Sequence, residues 1–233
     1  MNEPLFISKR NRFYKDLTGK GLEIGAFEHP AKLPSACEVF YCDVISKQEA
    51  LSLFPEIDKN SLVEVDEIID IDINGLVAFE NDSQDFVIIN HVLEHLFNPV
   101  FAICECFRVL KKDGLLFMSV PDKRYTFDKN RPLTNKSQIF ERIKRCPPRP
   151  MPSDYIDMLR YVHPEMLENT VEIQQAALMS FLHRREHLNI WTDITFVEFL
   201  EQLFIQNKIN ANLIHQVRPS ENQFEFFGVW QKN

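Results

Sequence analysis

Short apolar runs, most of them ending in an acidic or amide residue, alternate with stretches of helical spacing along the first half of the chain. The runs predict five strands, which cover residues 21–26, 38–43, 65–70, 85–90 and 114–120. Strands that alternate with helices in this way form a parallel sheet that is covered on both faces. The sequence therefore predicts an α/β fold with a doubly wound, mostly parallel sheet.

The first predicted strand carries Glu23 and ends in a turn that Gly25 opens. Doubly wound folds bind nucleotides at such a point, because glycine lets the backbone approach the ligand and a nearby acid binds a ribose hydroxyl. Asp43 closes the second strand and is a candidate for that acid. An ordinary buried strand ending in a glycine turn is the alternative, and the order of the later segments favours the ligand site.

Helical patterns cover residues 3–17, 46–54, 98–112 and 195–206, and two further strands are predicted at 211–217 and 224–230. A long insert, residues 122–190, interrupts the alternation after the fifth strand. It contains a proline-rich segment, residues 145–152, which favours neither helix nor central strand. Two helices are predicted in the insert at 153–162 and 164–181. An insert at this position is expected to recognise an acceptor substrate.

Composition narrows the class of protein. The chain has 233 residues, of which 45% are hydrophobic, and a formal net charge of −8. That size and composition predict one domain over residues 1–233. The acidic balance argues against a nucleic-acid partner, and no apolar run is long enough to span a bilayer. The N-terminus lacks the pattern of a signal peptide, so a cytoplasmic location is expected.

Cations are concentrated in one part of the insert. Residues 123–149 contain Lys123, Arg124, Lys129, Arg131, Lys136, Arg142, Lys144, Arg145 and Arg149, against Asp128 and Glu141. Such a lobe on an acidic protein favours a small anionic acceptor, such as a phosphorylated or carboxylated sugar. A solvated basic loop is the alternative interpretation.

Several motifs together carry a family resemblance. They are the turn Leu22-Glu23-Ile24-Gly25-Ala26, Asp43, the run from Asp85 to Leu96 and the segment Arg108-Val109-Leu110-Lys111-Lys112-Asp113-Gly114. Together these motifs resemble a class I S-adenosylmethionine-dependent methyltransferase over most of the chain. The segment from Val120 to Asp128, followed by Arg131-Pro132-Leu133-Thr134, looks like a bacterial subgroup associated with surface-glycan biosynthesis.

The resemblance implies a Rossmann-like sheet of seven strands whose last strand is antiparallel, and S-adenosyl-L-methionine as the cofactor. The implied cofactor residues lie after the first four strands: Glu23, Gly25, Ala26, Phe27, Asp43, Asp70, Ile71, Asn90 and His91. One departure is that Phe27 and Glu28 stand where further glycines are common. The implied reaction is O-methylation of a sugar or other anionic small-molecule or glycan acceptor.

Methyl transfer to a hydroxyl needs alignment and a base that removes the hydroxyl proton. His187 is the preferred base, because the segment from His183 to Thr192 resembles one in which two histidines, one residue apart, precede Trp-Thr. Asn189 replaces the second histidine, and Asp122 and His183 are rival catalytic candidates. Lys123, Arg124, Tyr125 and Arg131 are candidate substrate-binding residues.

No metal is predicted. His91 and His95 lie one helical turn apart with Glu94 between them, but the pattern is not His-Glu-x-x-His and the sequence shows no third ligand. Other functions stay open: methylation of a protein or of a nitrogen on a small metabolite, or a non-catalytic partner in a glycan-assembly complex. A nicotinamide-dependent oxidoreductase is disfavoured, because no full Gly-x-Gly-x-x-Gly follows the first strand. The oligomeric state is left open.

Overall fold

The computed structural model describes residues 3–146 and 148–233. The helices are Leu5–Asn11 (α1), Lys47–Leu53 (α2), Pro99–Val109 (α3), Lys136–Ile143 (α4), Ile156–Tyr161 (α5), Val171–His183 (α6), Asp193–Asn207 (α7) and Pro219–Asn222 (α8). The strands are Gly19–Ile24 (β1), Cys37–Asp43 (β2), Glu67–Ile68 (β3), Gln84–Asn90 (β4), Leu110–Pro121 (β5), Ala211–Val217 (β6) and Glu225–Lys232 (β7).

The strands form one seven-stranded sheet in the order β3-β2-β1-β4-β5-β7-β6. The first five strands pair in parallel, whereas β7 is antiparallel to both β5 and β6. This confirms the predicted doubly wound sheet with an antiparallel last strand and an insert after the fifth strand. Because the first five strands are parallel, their carboxyl ends meet along one edge of the sheet, where ligands of such folds bind.

Strand β4 shows why the sheet is buried on both faces. Phe86 and Ile88 pack in one cluster with Tyr14, while Val87 and Ile89 pack in the other. All four strand residues are fully buried. Successive side chains of a strand point to opposite faces, so an uninterrupted apolar run is the pattern of a strand covered on both sides. In the part of the chain that the structure describes, no helix has the length and apolar character needed to cross a membrane.

Helix α1 is shorter than predicted. It ends at Asn11 rather than at residue 17, and turns follow in which Phe13 N donates to the carbonyl of Arg10 and Tyr14 N to that of Asn11. This break brings Tyr14 and Leu17 into the cluster under the sheet, where both are buried. Packing of these apolar side chains has therefore overridden local helical preference.

The third strand and the start of the fifth also differ from the prediction. Strand β3 has two residues, because it lies at the edge of the sheet, where short strands are favoured. Helix α3 ends at Val109, and Leu110 is already extended and pairs with Gln84 of β4. The pairing is then shifted around Asp113, whose φ of 65° is left-handed.

The insert has a small core of its own, formed by Tyr155, Met158, Leu159, Phe181 and Leu188. Helices α5 and α6 correspond to the two predicted helices, although 3-10 turns replace their first residues. Helix α4 was not predicted, yet its start carries a capping box in which Asn135 and Gln138 bind each other's backbone. Pro147 of the proline-rich segment, and Met1 and Asn2 of the expected N-terminal pattern, lie outside the described residues.

Arg131 ties the segments of the insert together. Its guanidinium donates to Asp128 at 2.7 Å, to both carboxylate oxygens of Asp157 at 2.9 and 3.0 Å, and to the carbonyl of His187 at 2.9 Å. The side chain of Arg131 is 1% exposed. It therefore joins the turn after β5, helix α5 and the segment that follows α6.

We expect Arg131→Gln to lower the free energy of unfolding by about 3 kcal/mol, because it leaves buried carboxylates without their cation. Urea unfolding followed by fluorescence measures this. Arg160→Gln, on an exposed position of α5, is the matched control and should change stability by about 0.5 kcal/mol or less. Equal effects of the two substitutions would contradict the role of Arg131 in holding the insert.

Candidate active site

The carboxyl ends of β1 to β4 bring the predicted cofactor residues to one edge of the sheet. Glu23 lies near the end of β1, Asp43 ends β2, Asp70 follows β3, and Asn90 ends β4. Ile71 and Ala26 are buried apolar residues of the same region. The predicted ends of β2 and β4 are confirmed, whereas β1 and β3 end at Ile24 and Ile68, before their predicted ends. The role of each residue stays a prediction.

The turn after β1 requires unusual backbone. Gly25 has a φ of 67°, and a Cβ at that position would come 2.4 Å from Cγ2 of Val92. Phe27 also has a positive φ, 48°, and its ring packs edge-on against Phe54 at the end of α2. The positive φ of Phe27 costs energy for a residue with a side chain. Only glycine fits at position 25, because Val92 packs against the backbone there. The ring of Phe27 lies in the same turn.

Glu23 is buried without a full ionic partner. Its side chain is 2% exposed, and its two oxygens accept from the backbone N–H of Ala31 at 2.9 and 3.1 Å. Burial raises the pKa of Glu23 to about 7, although the bond from Ala31 and the charge of Arg10 act in the other direction. This carboxyl therefore changes its charge near neutral pH.

Asp43 and Asp70 present carboxylates on the neighbouring strands. Asp43 accepts from the backbone N–H of Val44 at 2.7 Å, and burial raises its pKa. Asp70 is bound at 2.5 Å by Arg185, which comes from the segment after α6. The neighbouring Arg184 donates to the carbonyl of Leu53 at 3.4 Å. The insert thus reaches across the ends of β2 and β3.

Asn90 and His91 lie where β4 ends. The amide of Asn90 donates to the hydroxyl of Tyr14 at 3.1 Å, while its Oδ1 is buried and has no hydrogen-bond partner among the described residues. His91 has a φ of 55°, and its Nε2 lies 2.5 Å from Glu225 of β7. Burial opposes protonation of His91, but its bond to Glu225 and its ion pair with Glu94 outweigh burial and raise its pKa to about 9.

Sequence reasoning missed the residues that support this end of the site. Arg10 of α1 donates to Glu225 at 3.1 Å, and both side chains are almost fully buried. Tyr14 supports Asn90 from below the sheet. These contacts join residues more than 75 positions apart, so no local spacing in the sequence could have shown them.

His187 is held beside the turn that follows β4. Its Nδ1 lies 2.6 Å from Oδ2 of Asp128, and its ring packs edge-on against that of His95 with centroids 4.8 Å apart. The ring of Phe127, which is 48% exposed, lies on another side of His187 at 4.8 Å. A ring nitrogen of each histidine and a carboxylate oxygen of Glu94 lie within 4.8 Å of one another.

The turn residues Glu94 and His95 differ in their surroundings. Glu94 is 1% exposed, and no hydrogen bond of good geometry reaches either of its oxygens among the described residues. Nδ1 of His95 donates to the carbonyl of Arg185 at 2.6 Å. Burial lowers the pKa of His95 to about 4, so this imidazole is neutral at physiological pH.

The two rival catalytic candidates lie in different surroundings. Asp122 is 1% exposed and accepts from the side chain and backbone of Arg124 and from the backbone of Asp193 at the start of α7. Its lone pairs are therefore engaged by the protein's own donors. His183 is the last residue of α6 and is exposed. The structure brings neither into the cluster that contains His187.

The predicted substrate-binding residues divide in the same way. Arg131 is buried in the ion pairs described above, and Nζ of Lys123 donates to the carbonyl of Arg131. Arg124 is half-exposed between Asp122 and Asp193, and Tyr125 is 39% exposed beside it. Of the four, Arg124 and Tyr125 have side chains that are accessible to solvent. An acceptor could bind Arg131 only if it displaced Asp128 or Asp157.

Much of the basic lobe is also paired internally. Lys144 and Arg145 form ion pairs with Glu141 and Asp154. Arg142 donates to the carbonyl of Phe97 and to Oδ1 of Asn189, and burial lowers its pKa to about 10. Lys129, Lys136 and Arg149 are exposed. The free positive charge of the insert is therefore smaller than its sequence indicates.

Comparison with known proteins agrees with this arrangement. Residues 19–118 match the family model described as a methyltransferase domain. No curated relative matches the chain. This part of the chain is therefore similar to methyltransferase domains, and the match implies S-adenosyl-L-methionine as the cofactor.

Solved structures share the fold at low identity. A protein described as a putative Zn-dependent alcohol dehydrogenase from Rhodobacter sphaeroides aligns at a TM-score of 0.55 and 12% identity, over 97% of this chain and 90% of that one. The YcgJ protein from Bacillus subtilis gives 0.53 and 12%, over 97% of each chain. A SAM-dependent methyltransferase from Thermotoga maritima, described as a possible histamine N-methyltransferase, gives 0.50 and 14%, over 99% and 90%. A further match, to a longer carbon methyltransferase chain of which this protein spans 58%, has a TM-score of 0.48. The first three likenesses show the fold alone.

The residues at the strand ends fit the cofactor. Asp43 offers a carboxylate at the end of β2, and Oδ1 of Asn90 is a buried acceptor that lacks a donor among the described residues. A buried acceptor without a partner is costly, and an N–H group of a ligand would satisfy it.

We expect the stability of the protein to depend on pH through Glu23. The pKa of Glu23 is raised from 4.5 to about 7 in the folded state. The stability that the protonated side chain contributes is therefore fully present below pH 4.5 and is lost as the pH rises through about 7. Between pH 6 and pH 8 the wild type should lose about 1 kcal/mol relative to Glu23→Gln. Urea unfolding of both proteins at the two pH values measures this, and a difference that does not change with pH would contradict it.

Proposed function

We propose that this protein transfers a methyl group from S-adenosyl-L-methionine to a hydroxyl of a sugar or related small molecule. The observation that carries the proposal is the His187–Asp128 pair, which lies in the insert beside the turn that follows β4. S-adenosyl-L-methionine, when bound, supplies a methyl group on a sulfonium. The remaining tasks are to hold the acceptor and to accept its proton.

His187 is suited to accept the proton. A carboxylate only accepts hydrogen bonds, so the 2.6 Å contact with Asp128 makes Nδ1 the protonated nitrogen of the neutral ring. Nε2 then keeps its lone pair and can take the proton from the acceptor hydroxyl. The acceptor oxygen would then receive the methyl group, and S-adenosylhomocysteine would be the leaving group. Asp128 stabilises the imidazolium, which afterwards releases its proton to water.

The surroundings of His187 favour a sugar-like acceptor. Phe127 and Tyr125 are exposed aromatic residues on the two 3-10 turns that follow β5. Exposed aromatic rings mark contact surfaces, and the apolar C–H face of a sugar ring packs on such a ring. Lys129 lies on the same turns and is exposed, which supports an anionic group on the acceptor. The glycan-associated subgroup of the sequence analysis agrees with this acceptor.

The cofactor part of the site can be tested first by calorimetry with S-adenosylhomocysteine. We expect Asp43→Ala to weaken binding by about 1–3 kcal/mol, because it removes a charge-assisted hydrogen bond to the ribose. Asp16→Ala, at an exposed position before β1, is the control and should leave binding unchanged. Equal affinity of the wild type and Asp43→Ala would remove Asp43 from the site.

The role of His187 as the base is tested by measuring turnover with a panel of sugar acceptors. The rate of S-adenosylhomocysteine release is the readout. We expect His187→Gln to lower kcat by about 10²–10⁴-fold while S-adenosylhomocysteine still binds. His183→Gln tests the rival candidate, and His215→Gln, an exposed histidine of β6, is the control. Turnover that survives in His187→Gln would reject His187 as the base. Cofactor binding without turnover on any acceptor would instead favour the non-catalytic partner.

A further inference from the structure

The turn after β4 and the end of the insert place Glu94, His95 and His187 together, and the proposed function uses only one of them. Their possible ligand atoms, one from each side chain, lie within 4.8 Å of one another. Nε2 of His95 lies 3.8 Å from Oε1 of Glu94. Two ligands of a tetrahedral zinc ion are about 3.4 Å apart when each bond is about 2.0–2.1 Å. The cluster is therefore close to the size of a metal site.

Both histidines are held in the tautomer that a metal requires. Nδ1 of His95 faces the carbonyl of Arg185 at 2.6 Å, and Nδ1 of His187 faces the carboxylate of Asp128 at 2.6 Å. Neither partner can donate a hydrogen bond, so each Nδ1 carries the proton and each Nε2 keeps its lone pair. Metal-binding histidines almost always donate their second nitrogen to a carboxylate or a backbone carbonyl in this way.

Glu94 is the carboxylate of the group. Its side chain is 1% exposed, and neither oxygen receives a hydrogen bond of good geometry from the described residues. His91 is a cationic neighbour, with Nδ1 at 3.3 Å from Oε1, and it is shared with Glu225, to which its Nε2 is bound. The carboxylate of Glu94 therefore keeps lone pairs that a further cation can use.

We propose that Glu94, His95 and His187 bind a divalent transition-metal cation of the zinc type. Two imidazoles and one carboxylate form a donor set that zinc accepts in catalytic sites, where a further position stays open for water or substrate. The sequence shows no third ligand for the pair His91 and His95, whereas the fold brings His187 of the insert to Glu94 and His95. Magnesium, which prefers oxygen ligands throughout, does not suit this set.

The role of this metal in acceptor binding rests on the proposed function, and with the metal bound His187 serves as a ligand in place of acting as the base. A hydroxyl of the acceptor that occupies the open position becomes more acidic, as zinc-bound water does. Nε2 of His187 is then a metal ligand, and the hydroxyl proton passes to solvent. Asp128 acts in either case by holding the His187 ring.

The test is calorimetry of the chelator-treated full chain with Zn²⁺ alone and, separately, with S-adenosylhomocysteine. We expect one equivalent of Zn²⁺ to bind, with affinity reduced at least about tenfold in Glu94→Gln and in His187→Gln. The matched control His215→Gln should bind as the wild type does, and Mg²⁺ should bind far more weakly. Unchanged S-adenosylhomocysteine binding shows that each variant is folded.

Spectroscopy of the wild-type protein with bound Co²⁺ tests the site without any variant, so misfolding of a variant cannot affect the result. Cys146 is an exposed thiol and could bind zinc itself. With Co²⁺ as the probe, the proposed site gives visible ligand-field bands without sulfur-to-cobalt charge transfer, whereas a cysteine site gives charge transfer.

Charge transfer, absence of Zn²⁺ binding, or equal affinity in Glu94→Gln and the wild type would each overturn the metal site. None of these results would touch the methyltransferase proposal if S-adenosylhomocysteine still binds. Failure to bind S-adenosylhomocysteine would sink the proposed function, whatever Zn²⁺ does.

Discussion

The active site depends on the contact between the segment that leaves the insert and the turn after β4. The carbonyl of Glu94 accepts from the backbone of both Leu188 and Asn189, at 2.7 and 2.9 Å. The side chain of Asn189 donates to the carbonyls of Leu93 and Leu96 at 2.9 and 2.7 Å. These bonds are buried, so they are costly to break. They place His187 beside His95, and together with the contact of Arg185 with Asp70 they fix the insert over the strand ends.

Buried charge is the second constraint on this region. Glu23, Glu94 and Glu225 are all almost fully buried at the carboxyl edge of the sheet or next to it. Arg10 and His91 compensate the negative charge of Glu225. Among the described residues, Glu23 accepts a hydrogen bond from the backbone N–H of Ala31 and feels the charge of Arg10. A buried carboxylate without a close cation lowers the stability of the folded protein. Functional sites are where a fold carries such a cost, and the placement of these acids supports a binding role for this edge.

The sequence predicted the sheet well because each strand has a local signal. Apolar runs that end in Asp43 or Asn90 and the hairpin near the C-terminus depend on residues close together in the chain. The capping box at Asn135 was a local signal too, and could have predicted α4. The break of α1 before Tyr14 could not be predicted, since it follows from packing against distant strands. The same holds for the site: a family resemblance suggested His187, but its partner Asp128 and its neighbour His95 come from other elements.

Asn189 illustrates how a departure from a family pattern can be understood from hydrogen-bond chemistry. The resemblance places a second histidine at this position, which would suggest a lost catalytic group. Here the amide donates from one nitrogen to two carbonyls and accepts from Arg142 at 2.5 Å through its oxygen. A neutral imidazole has one donor and one acceptor, so it could not make this set of bonds. Asn189 is therefore better understood as a residue that fixes the insert than as a lost catalytic group.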